Sequence, residues 1–391
     1  MKELSVDILI VGAGPAGLSA ALEASKYDIN VLVVEKNPRF AMKPCGEAVS
    51  RATLDDLGLK PSRKVIRNDI HKAIVYAPNL KDYVEIKEQG AGYIIDKEEM
   101  LKEIASLVSR NGGSIWIQSP VVDFTWKKGQ VNEVIVLRKG ERVRILPKIV
   151  IACDGISSKF SWKLFDHKGY ELIPTIQYIY RGMVVEDKHT IMFYVGNKIA
   201  PRGYLWVFPR GNDEVGVGIG TRGAPARPFL EKFIYKNKDL FSKAVEVGYG
   251  ASAVPVGGQL KERVKGNLMI CGDAAGQVIP LTGGGIHSCG IAGKIAGRIA
   301  AEAVINDKVS QDFLKRYEVE YDRYWGLRIK QSLKALKAIE NLTDNELNEL
   351  AKLLTGEDII NLANGIDIIK VAKKLMKHPI MATKIALRLL S

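Results

Sequence analysis

The first 36 residues alternate between apolar and glycine-rich stretches in the order of a βαβ unit. Residues 7–11 are mostly β-branched and apolar, which is typical of a short strand buried on both faces. A run of small residues from 15 to about 26 predicts a helix, and residues 30–34 form a second apolar run. The pattern therefore predicts two parallel strands joined by a helix.

The apolar pattern of the following 240 or so residues predicts more strands and helices around this unit. A helix with one apolar face is expected at 97–110. Buried strands are expected at 149–155 and 267–271, and each leads into a glycine turn. Shorter alternating runs predict strands at 72–76, 83–87, 114–117, 121–126, 131–137 and 142–145.

The middle of the chain predicts a second, antiparallel sheet. Four alternating runs are typical of a β-meander, and they lie at 176–185, 190–195, 203–208 and 214–220. Residues 229–247 are expected to form a helix that leads back to the first sheet. A small-residue helix is expected at 290–305, and nearly all of the pattern from residue 311 onward is helical.

Together these elements predict an α/β fold of mixed α+β character with three regions. The first is a discontinuous nucleotide-binding domain made of residues 1–60, 91–160 and 255–308. The second is an inserted, β-rich substrate domain made of residues 61–90 and 161–254. The third is a helical C-terminal region, residues 309–391.

The composition is that of a globular protein, with 47% hydrophobic and 26% charged residues. Charges, glycine or proline interrupt every apolar run before it reaches 18 residues, so no membrane-spanning helix is predicted. The N-terminus resembles a signal peptide only briefly, because Asp7 lies inside its apolar stretch. We therefore expect a cytoplasmic protein.

The net charge of +13 leaves two interpretations open. It is either a solvated basic surface or a means of attracting an anionic partner, such as phospholipid headgroups or nucleic acid. The four cysteines lie far apart and form no CxxC pair, which argues against a zinc site or a disulfide scaffold. No metal site is predicted.

The strongest chemical signal is the turn between the first strand and the first helix. Gly12, Gly14 and Gly17 have the spacing GxGxxG. This spacing allows a tight turn, a close approach of the backbone to a pyrophosphate, and close packing of helix on strand. Glu35 ends the second strand 21 positions after Gly14, where an acid binds a ribose hydroxyl. A carboxylate there disfavours a 2′-phosphate, so the sequence predicts FAD or NAD rather than NADP.

Two more glycine turns follow predicted buried strands. They are Asp154-Gly155 and Gly272-Asp273, and each aspartate is either a cofactor ligand or an ordinary helix N-cap. The run Gly283–Gly285 is either a loose loop or backbone that lies flat against a planar ligand. His287, just after it, is expected to be a near-site histidine rather than a catalytic base.

An aromatic stripe runs along one predicted strand. Tyr204, Trp206 and Phe208 are two positions apart and so project from the same face of the strand. By periodicity alone they belong to the sheet core, but beside a flavin site they are suited to lining a tunnel for an apolar chain.

The three glycine turns resemble those of FAD-containing, aromatic-hydroxylase-type flavoproteins with a Rossmann-like domain. Two further motifs resemble the geranylgeranyl reductase family over roughly residues 1–310. One is Cys45-Gly46-Glu47 after Lys43-Pro44, and the other is residues 201–209, which fit PxxYxWxFP. Glu47 replaces a glycine that is common in plant-type members, so the chain is similar to the archaeal, lipid-modifying branch.

The resemblance implies FAD as the cofactor and assigns individual contacts. Implied cofactor contacts are Gly12, Gly14, Ala16, Gly17, Glu35, Lys36, Cys45, Gly46, Ala48, Lys97, Val122, Asp154, Asp273, Gly285 and Ile286. Implied substrate contacts are Pro201, Tyr204, Trp206, Phe208 and Pro209. Lys97 stands where relatives usually carry arginine.

The implied activity is saturation of isolated double bonds in the geranylgeranyl chains of membrane lipids or their precursors, with hydride from N5 of the reduced flavin. An isolated alkene has no carbonyl to accept negative charge, so proton delivery should come first, with a tertiary cation as the intermediate. Cys45 is the candidate acid or flavin-tuning group, because a thiol is protonated at neutral pH; the alternative is a buried structural cysteine.

Other functions and partners also follow from these features. An FAD-dependent monooxygenase or halogenase is the alternative on the same fold, although YLWVFP replaces the WxWxIP of halogenases. A flavin or lipid carrier is a third hypothesis. The expected partners are a prenyl lipid and an electron donor, which is either ferredoxin or NAD(P)H, and not nucleic acid.

The last helix suggests peripheral contact with the inner face of a membrane. It combines basic residues with apolar ones, and the alternative is that it packs on the body of the protein. The residues concerned are Lys374, Lys377, Ile380, Lys384, Ile385, Leu387, Arg388 and Leu390.

Overall fold

The computed structural model describes the backbone of residues 1–390 and the side chains of residues 1–87, 92–379, 381–387 and 389. Its strands, in chain order, are β1 (Lys2–Val11), β2 (Val31–Val34), β3 (Ala48–Val49), β4 (Ile66–Tyr76), β5 (Tyr83–Ile95), β6 (Ser114–Trp116), β7 (Val121–Lys127), β8 (Gln130–Arg138), β9 (Glu141–Ala152), β10 (Leu172–Arg181), β11 (Thr190–Val195), β12 (Tyr204–Gly211), β13 (Glu214–Gly220), β14 (Val245–Pro255), β15 (Val264–Lys265) and β16 (Leu268–Ile270).

The helices cover the first sheet and build the C-terminal region. They are α1 (Pro15–Ala24), α2 (Arg51–Asp56), α3 (Lys97–Arg110), α4 (Lys159–Leu164), α5 (Ala226–Lys236), α6 (Ile286–Ile305), α7 (Gln311–Leu314), α8 (Arg316–Tyr321), α9 (Leu327–Ile339), α10 (Asp344–Leu353), α11 (Gly356–Asn364), α12 (Ile368–Leu375), α13 (Pro379–Met381) and α14 (Leu387–Leu390).

The first sheet has the order β15-β16-β9-β1-β2-β6. Strands β16, β9, β1, β2 and β6 are parallel to one another, whereas β15 pairs antiparallel with β16 and the β7-β8 hairpin pairs antiparallel with β9. Helices α1 and α6 pack on this sheet in close contact with each other. A Cβ at Gly293 or Gly297 of α6 would lie 1.9 or 2.1 Å from a backbone oxygen of α1, so glycine is required at both positions.

The second sheet has the order β14-β10-β13-β12-β11-β4-β5-β3. It is antiparallel except for the parallel pair of β11 and β4. The mixed α/β fold class with an inserted sheet is therefore confirmed. The domain boundaries remain a prediction, because β3 and β5 reach into the second sheet from segments assigned to the first domain.

Three details of the predicted elements are wrong. The meander is interrupted, because β10 pairs with β13 and β14 instead of β11. The single helix at 229–247 is instead α5, which ends at Lys236, followed by a turn and the start of β14. The separate strands at 142–145 and 149–155 are one strand, β9, because pairing with β1 continues through Pro147.

The C-terminal region is helical, as predicted, and its last helix packs on the body of the protein. Ile385 and Leu389 are buried, with 0% and 2% of their surface exposed, among residues of α9 and α12. The side chains of Ile380, Arg388 and Leu390 lie outside the described ones. Within the described part of the chain, the search for a helix long and apolar enough to cross a bilayer finds none.

Candidate active site

A cavity of about 900 Å³ is lined by residues of both sheets. Most of the residues implicated by the sequence line it: Gly12, Gly14, Ala16, Glu35, Lys36, Cys45, Gly46, Lys97, Val122, Asp154, Tyr204, Trp206, Phe208, Asp273, Gly285 and Ile286. Gly17, Ala48, Pro201 and Pro209 do not line it. The cavity thus joins the glycine turns of the first sheet to the aromatic strand of the second.

The N-terminus of α1 opens into this cavity. Gly12 has a φ of +97°, and a Cβ at Gly17 would lie 1.8 Å from the Gly12 carbonyl oxygen, so both glycines are needed for the tight strand-to-helix turn. A Cβ at Gly14, by contrast, meets no atom within 4 Å. The helix has no side-chain cap and no acid in its first turn. Its free N–H groups and open space therefore fit a pyrophosphate.

Glu35 ties the end of β2 to the glycine turn. It is 8% exposed, and its Oε2 accepts a hydrogen bond of 2.8 Å from the Ala13 N–H. Its Oε1 accepts hydrogen bonds from the backbone and side chain of Asn37. Oε2, which accepts only the Ala13 hydrogen bond, keeps a lone pair for a ribose hydroxyl. Across the cavity, the Val122 carbonyl accepts a 2.9 Å hydrogen bond from Lys159 Nζ.

Asp154 is half-buried just after the end of β9, where it lines the cavity. Burial raises the pKa of its carboxyl to about 6, although hydrogen bonds and the nearby Lys36 act in the opposite direction. Its Oδ1 has no hydrogen-bond partner among the described residues. A buried acceptor without a donor is costly, so this atom fits a cofactor that carries hydroxyl groups.

Asp273 forms an ion pair inside the cavity with Lys43, whose Nζ lies 2.5 Å from its Oδ2. Burial lowers the pKa of the Lys43 ammonium, but the Asp273 carboxylate raises it by more, so the net shift is upward. The Lys43 carbonyl accepts a 2.5 Å hydrogen bond from Lys97 Nζ. Lys97 therefore holds the loop that carries Lys43 and Cys45, and sequence reasoning missed the pairing of Lys43 with Asp273.

Helix α6 presents a second N-terminus to the cavity. Gly285 precedes its first residue, Ile286, and the first turn has no acid and no side-chain cap. Burial raises the pKa of Tyr204, so its phenol stays protonated and donates a hydrogen bond to the Thr282 carbonyl in the glycine-rich loop. That loop is consequently fixed to the aromatic strand.

His287 lies outside the cavity lining. Its Nε2 is 2.8 Å from Asp56 Oδ2, and its ring packs edge-on against Trp325 at a centroid distance of 4.7 Å. Burial lowers the pKa of His287 in spite of the Asp56 carboxylate. These contacts agree with the interpretation of a structural histidine near the site.

The aromatic stripe both packs in the sheet and forms the cavity wall. Trp206 and Phe208 are 9% and 6% exposed and contact Ile70 and Ile94. Adjacent rings of Tyr204, Trp206 and Phe208 have centroids 6.0 and 6.3 Å apart. Both interpretations of the stripe therefore apply, and the exposed ring surface faces the cavity.

Cys45 lies where the two halves of the cavity meet. Its Sγ accepts a 3.4 Å hydrogen bond from the Glu47 N–H, and its carbonyl accepts one of 3.2 Å from Gln177 Nε2. The Oε1 of Gln177 accepts a 3.0 Å hydrogen bond from Trp206 Nε1. Glu47 has a left-handed φ of +60° and is held by Arg210, 2.7 Å away. Sequence reasoning did not identify Gln177 or Arg210.

Comparison with known proteins connects this geometry to a family. Residues 171–254 match the geranylgeranyl reductase catalytic domain, and residues 5–195 match an FAD-binding domain. The chain is 33% identical to digeranylgeranylglycerophospholipid reductase 2 of Methanopyrus kandleri, covering 96% of this chain and 97% of the relative. It is 31% identical to digeranylgeranylglycerophospholipid reductase of Methanocaldococcus jannaschii, covering 96% of each.

The chain belongs to the geranylgeranyl reductase family. A crystal structure of a geranylgeranyl bacteriochlorophyll reductase-like protein from Thermoplasma acidophilum superposes with a TM-score of 0.89 at 26% identity, covering 99% of this chain and 100% of that one. A flavin-dependent brominase superposes with a TM-score of 0.72 at 16% identity, covering 92% and 94% of the two chains. That second likeness shows a shared fold alone.

Membership of the geranylgeranyl reductase family establishes an FAD-dependent oxidoreductase. The residues present fit this cofactor: two uncapped helix N-termini, the open space at Gly14, and the unpartnered Asp154 Oδ1. The first-sheet half of the cavity therefore has the donors and acceptors that a dinucleotide needs.

Proposed function

We propose that this geranylgeranyl reductase family member saturates isolated C=C bonds of geranylgeranyl chains in archaeal-type membrane lipids or their precursors. The observation that carries the proposal is the continuous cavity, which runs from the glycine turns past Cys45 to the aromatic stripe. The names of the relatives in Methanopyrus and Methanocaldococcus support the same substrate class.

The residues around the cavity suggest how the two hydrogens are added. FAD held at the N-termini of α1 and α6 would, when reduced, supply the hydride that completes the saturation. A proton added first to one alkene carbon would leave a tertiary cation on the other. We assign the proton to the Cys45 thiol, which the Glu47 N–H and the Gln177 amide hold in the cavity. The rings of Trp206 and Phe208 stabilise the developing cation without reacting with it.

The decisive measurement is mass spectrometry of digeranylgeranylglycerophospholipid after incubation with chemically reduced protein. We expect mass gains in multiples of two hydrogens. No gain with the lipid, combined with oxygen-dependent consumption of NADPH on an aromatic substrate, would instead support a monooxygenase of the same fold. Bound lipid with no change in mass would support a carrier.

We also propose peripheral membrane contact, through the edge of the second sheet rather than through the last helix. Edge strand β14 exposes Val245 and Val247 by 63% and 50%, and β10 offers no partner residue to Val247. Exposed Lys243 and Glu246 adjoin them, and Ser252 on the same strand lines the cavity. An apolar edge beside a lipid cavity suits a bilayer surface.

Flotation with anionic liposomes tests this contact. Val245→Asp together with Val247→Asp should lower the partition coefficient about tenfold, because each valine loses its apolar burial and gains charge repulsion. Val319→Asp, at a similarly exposed valine of α8, is the matched control and should float as the unchanged protein does. Equal flotation of all three proteins would exclude β14 as the contact.

A further inference from the structure

Two arginines line the far end of the aromatic half of the cavity. Arg202 precedes β12 and Arg222 follows β13, and these strand ends are joined by a 2.9 Å hydrogen bond from the Arg222 N–H to the Pro201 carbonyl. Among the described cavity-lining residues between 171 and 256, only Arg202 and Arg222 are charged. The rest of this wall is apolar, aromatic or neutral and polar.

The positive charges face the cavity while their carboxylate partners lie outside its lining. Glu340 accepts hydrogen bonds from Nη2 of Arg202 at 3.0 Å and from Nη1 of Arg222. Glu171 Oε1 is 2.7 Å from Arg222 Nε. Neither Glu340 nor Glu171 lines the cavity. A ligand at this end of the cavity therefore meets the two arginines and not their carboxylate partners.

The arginines also retain unused hydrogen-bonding capacity. The Arg222 side chain is only 8% exposed, yet its Nε–H is not aligned with Glu171 and forms no hydrogen bond. A buried donor of this kind is costly unless a ligand satisfies it. Arg202 adopts a left-handed φ of +50°, a strained conformation that is common at ligand sites.

The cavity wall beside the two arginines indicates which kind of anion fits the site. Leu281 and Leu336 line the cavity, and Tyr204 begins the aromatic stripe two residues after Arg202. Two guanidinium groups match the geometry of phosphate oxygens, while the adjacent wall suits an apolar chain. The site thus combines a phosphate-binding end with a continuous apolar path toward Cys45.

We propose that Arg202 and Arg222 bind the phosphate ester of the lipid substrate. This inference rests on the proposed reductase function and adds the group by which the substrate is oriented. The phosphate is held beside the adjoining ends of β12 and β13, and the prenyl chain runs from there along Tyr204, Trp206 and Phe208.

The test compares two substrates with chemically reduced holoenzyme: the phosphate-bearing diether lipid and the same diether with a free hydroxyl. Arg222→Gln should raise KM for the phosphorylated lipid about tenfold or more, which corresponds to the loss of one charged hydrogen bond. It should leave KM for the neutral lipid within about twofold. Arg202→Gln should act in the same direction.

The Glu340→Gln variant distinguishes between two roles of the arginines, phosphate binding and a purely structural ion pair. Removing its charge releases both guanidinium groups toward the cavity, so KM for the phosphorylated lipid should fall. If the cluster served only to hold α9 against the sheet, Glu340→Gln and Arg222→Gln would both lower the melting temperature and would change KM for both lipids alike. That result would overturn the proposal.

Three further outcomes remain interpretable. If Arg222→Gln does not fold, Arg222→Lys and Arg202→Gln carry the test, because both keep most of the packing. A second outcome is that inorganic phosphate protects wild type but not Arg202→Gln against thermal unfolding, while the KM of Arg202→Gln for the phosphorylated lipid equals that of wild type. The site then binds free phosphate, and the proposal is wrong. If wild type reduces neither lipid, the reductase function itself fails.

Discussion

Replacement of Gly14 by valine is expected to give a folded protein that purifies without FAD. The backbone at Gly14 has an ordinary φ of −79°, and an added Cβ meets no protein atom within 4 Å. Valine at this N-cap should cost the fold only about 1 kcal/mol. Its side chain would fill the space in front of the helix N-terminus, so we expect FAD affinity to fall about a hundredfold or more. Flavin absorbance and titration with FAD measure this directly.

A graded series provides the control. Gly14→Ala adds only a Cβ and should weaken FAD binding less than Gly14→Val does. Gly17→Ala should behave differently, because its Cβ would lie 1.8 Å from the Gly12 carbonyl oxygen and would lower the melting temperature as well as the FAD content. A yellow Gly14→Val protein with unchanged FAD affinity would place the pyrophosphate elsewhere.

Replacement of Cys45 by alanine or serine should leave FAD bound and slow alkene reduction about a hundredfold or more, the usual contribution of a positioned acid. The physical reason is that Cys45 lies at the junction of the two halves of the cavity, where its Sγ is held by the Glu47 N–H at 3.4 Å. Single-turnover oxidation of the reduced flavin by the lipid substrate isolates this step from lipid binding.

The serine variant shows what the thiol contributes. Its hydroxyl preserves the size and most of the hydrogen bonding of the side chain but is a much poorer proton donor. Serine should therefore be nearly as slow as alanine. Turnover of both variants at the wild-type rate would assign Cys45 a structural role and would require another proton source.

Much of this site could be predicted from sequence because its signals are local. The turn at Gly12–Gly17 depends on φ values and close approaches within a few residues, and the stripe at 204–208 depends on strand alternation. The pairing of Lys43 with Asp273 spans 230 positions, and that of Arg222 with Glu340 spans 118. Such contacts depend on how distant segments meet, which no local pattern encodes.

The errors in the second sheet have a related cause. Residues 245–251 alternate apolar side chains with glutamate and two glycines, but glycine has a low strand propensity and the apolar side chains at 245, 247 and 249 are exposed rather than buried. Their strand conformation comes from pairing with β10, which is a tertiary effect. The same pairing separates β10 from β11, because β13 and β14 already occupy both of its edges.

The two hydrogen bonds of the Gln177 side-chain amide limit how the range of accepted prenyl chains can be altered. One end of the amide holds the Trp206 indole and the other holds the Cys45 carbonyl. Trimming the indole to widen the tunnel would therefore also release the loop that carries Cys45. Ile173 and Val254, which pair with each other on β10 and β14, line the same cavity without either link, so steric redesign is better begun from those two strands.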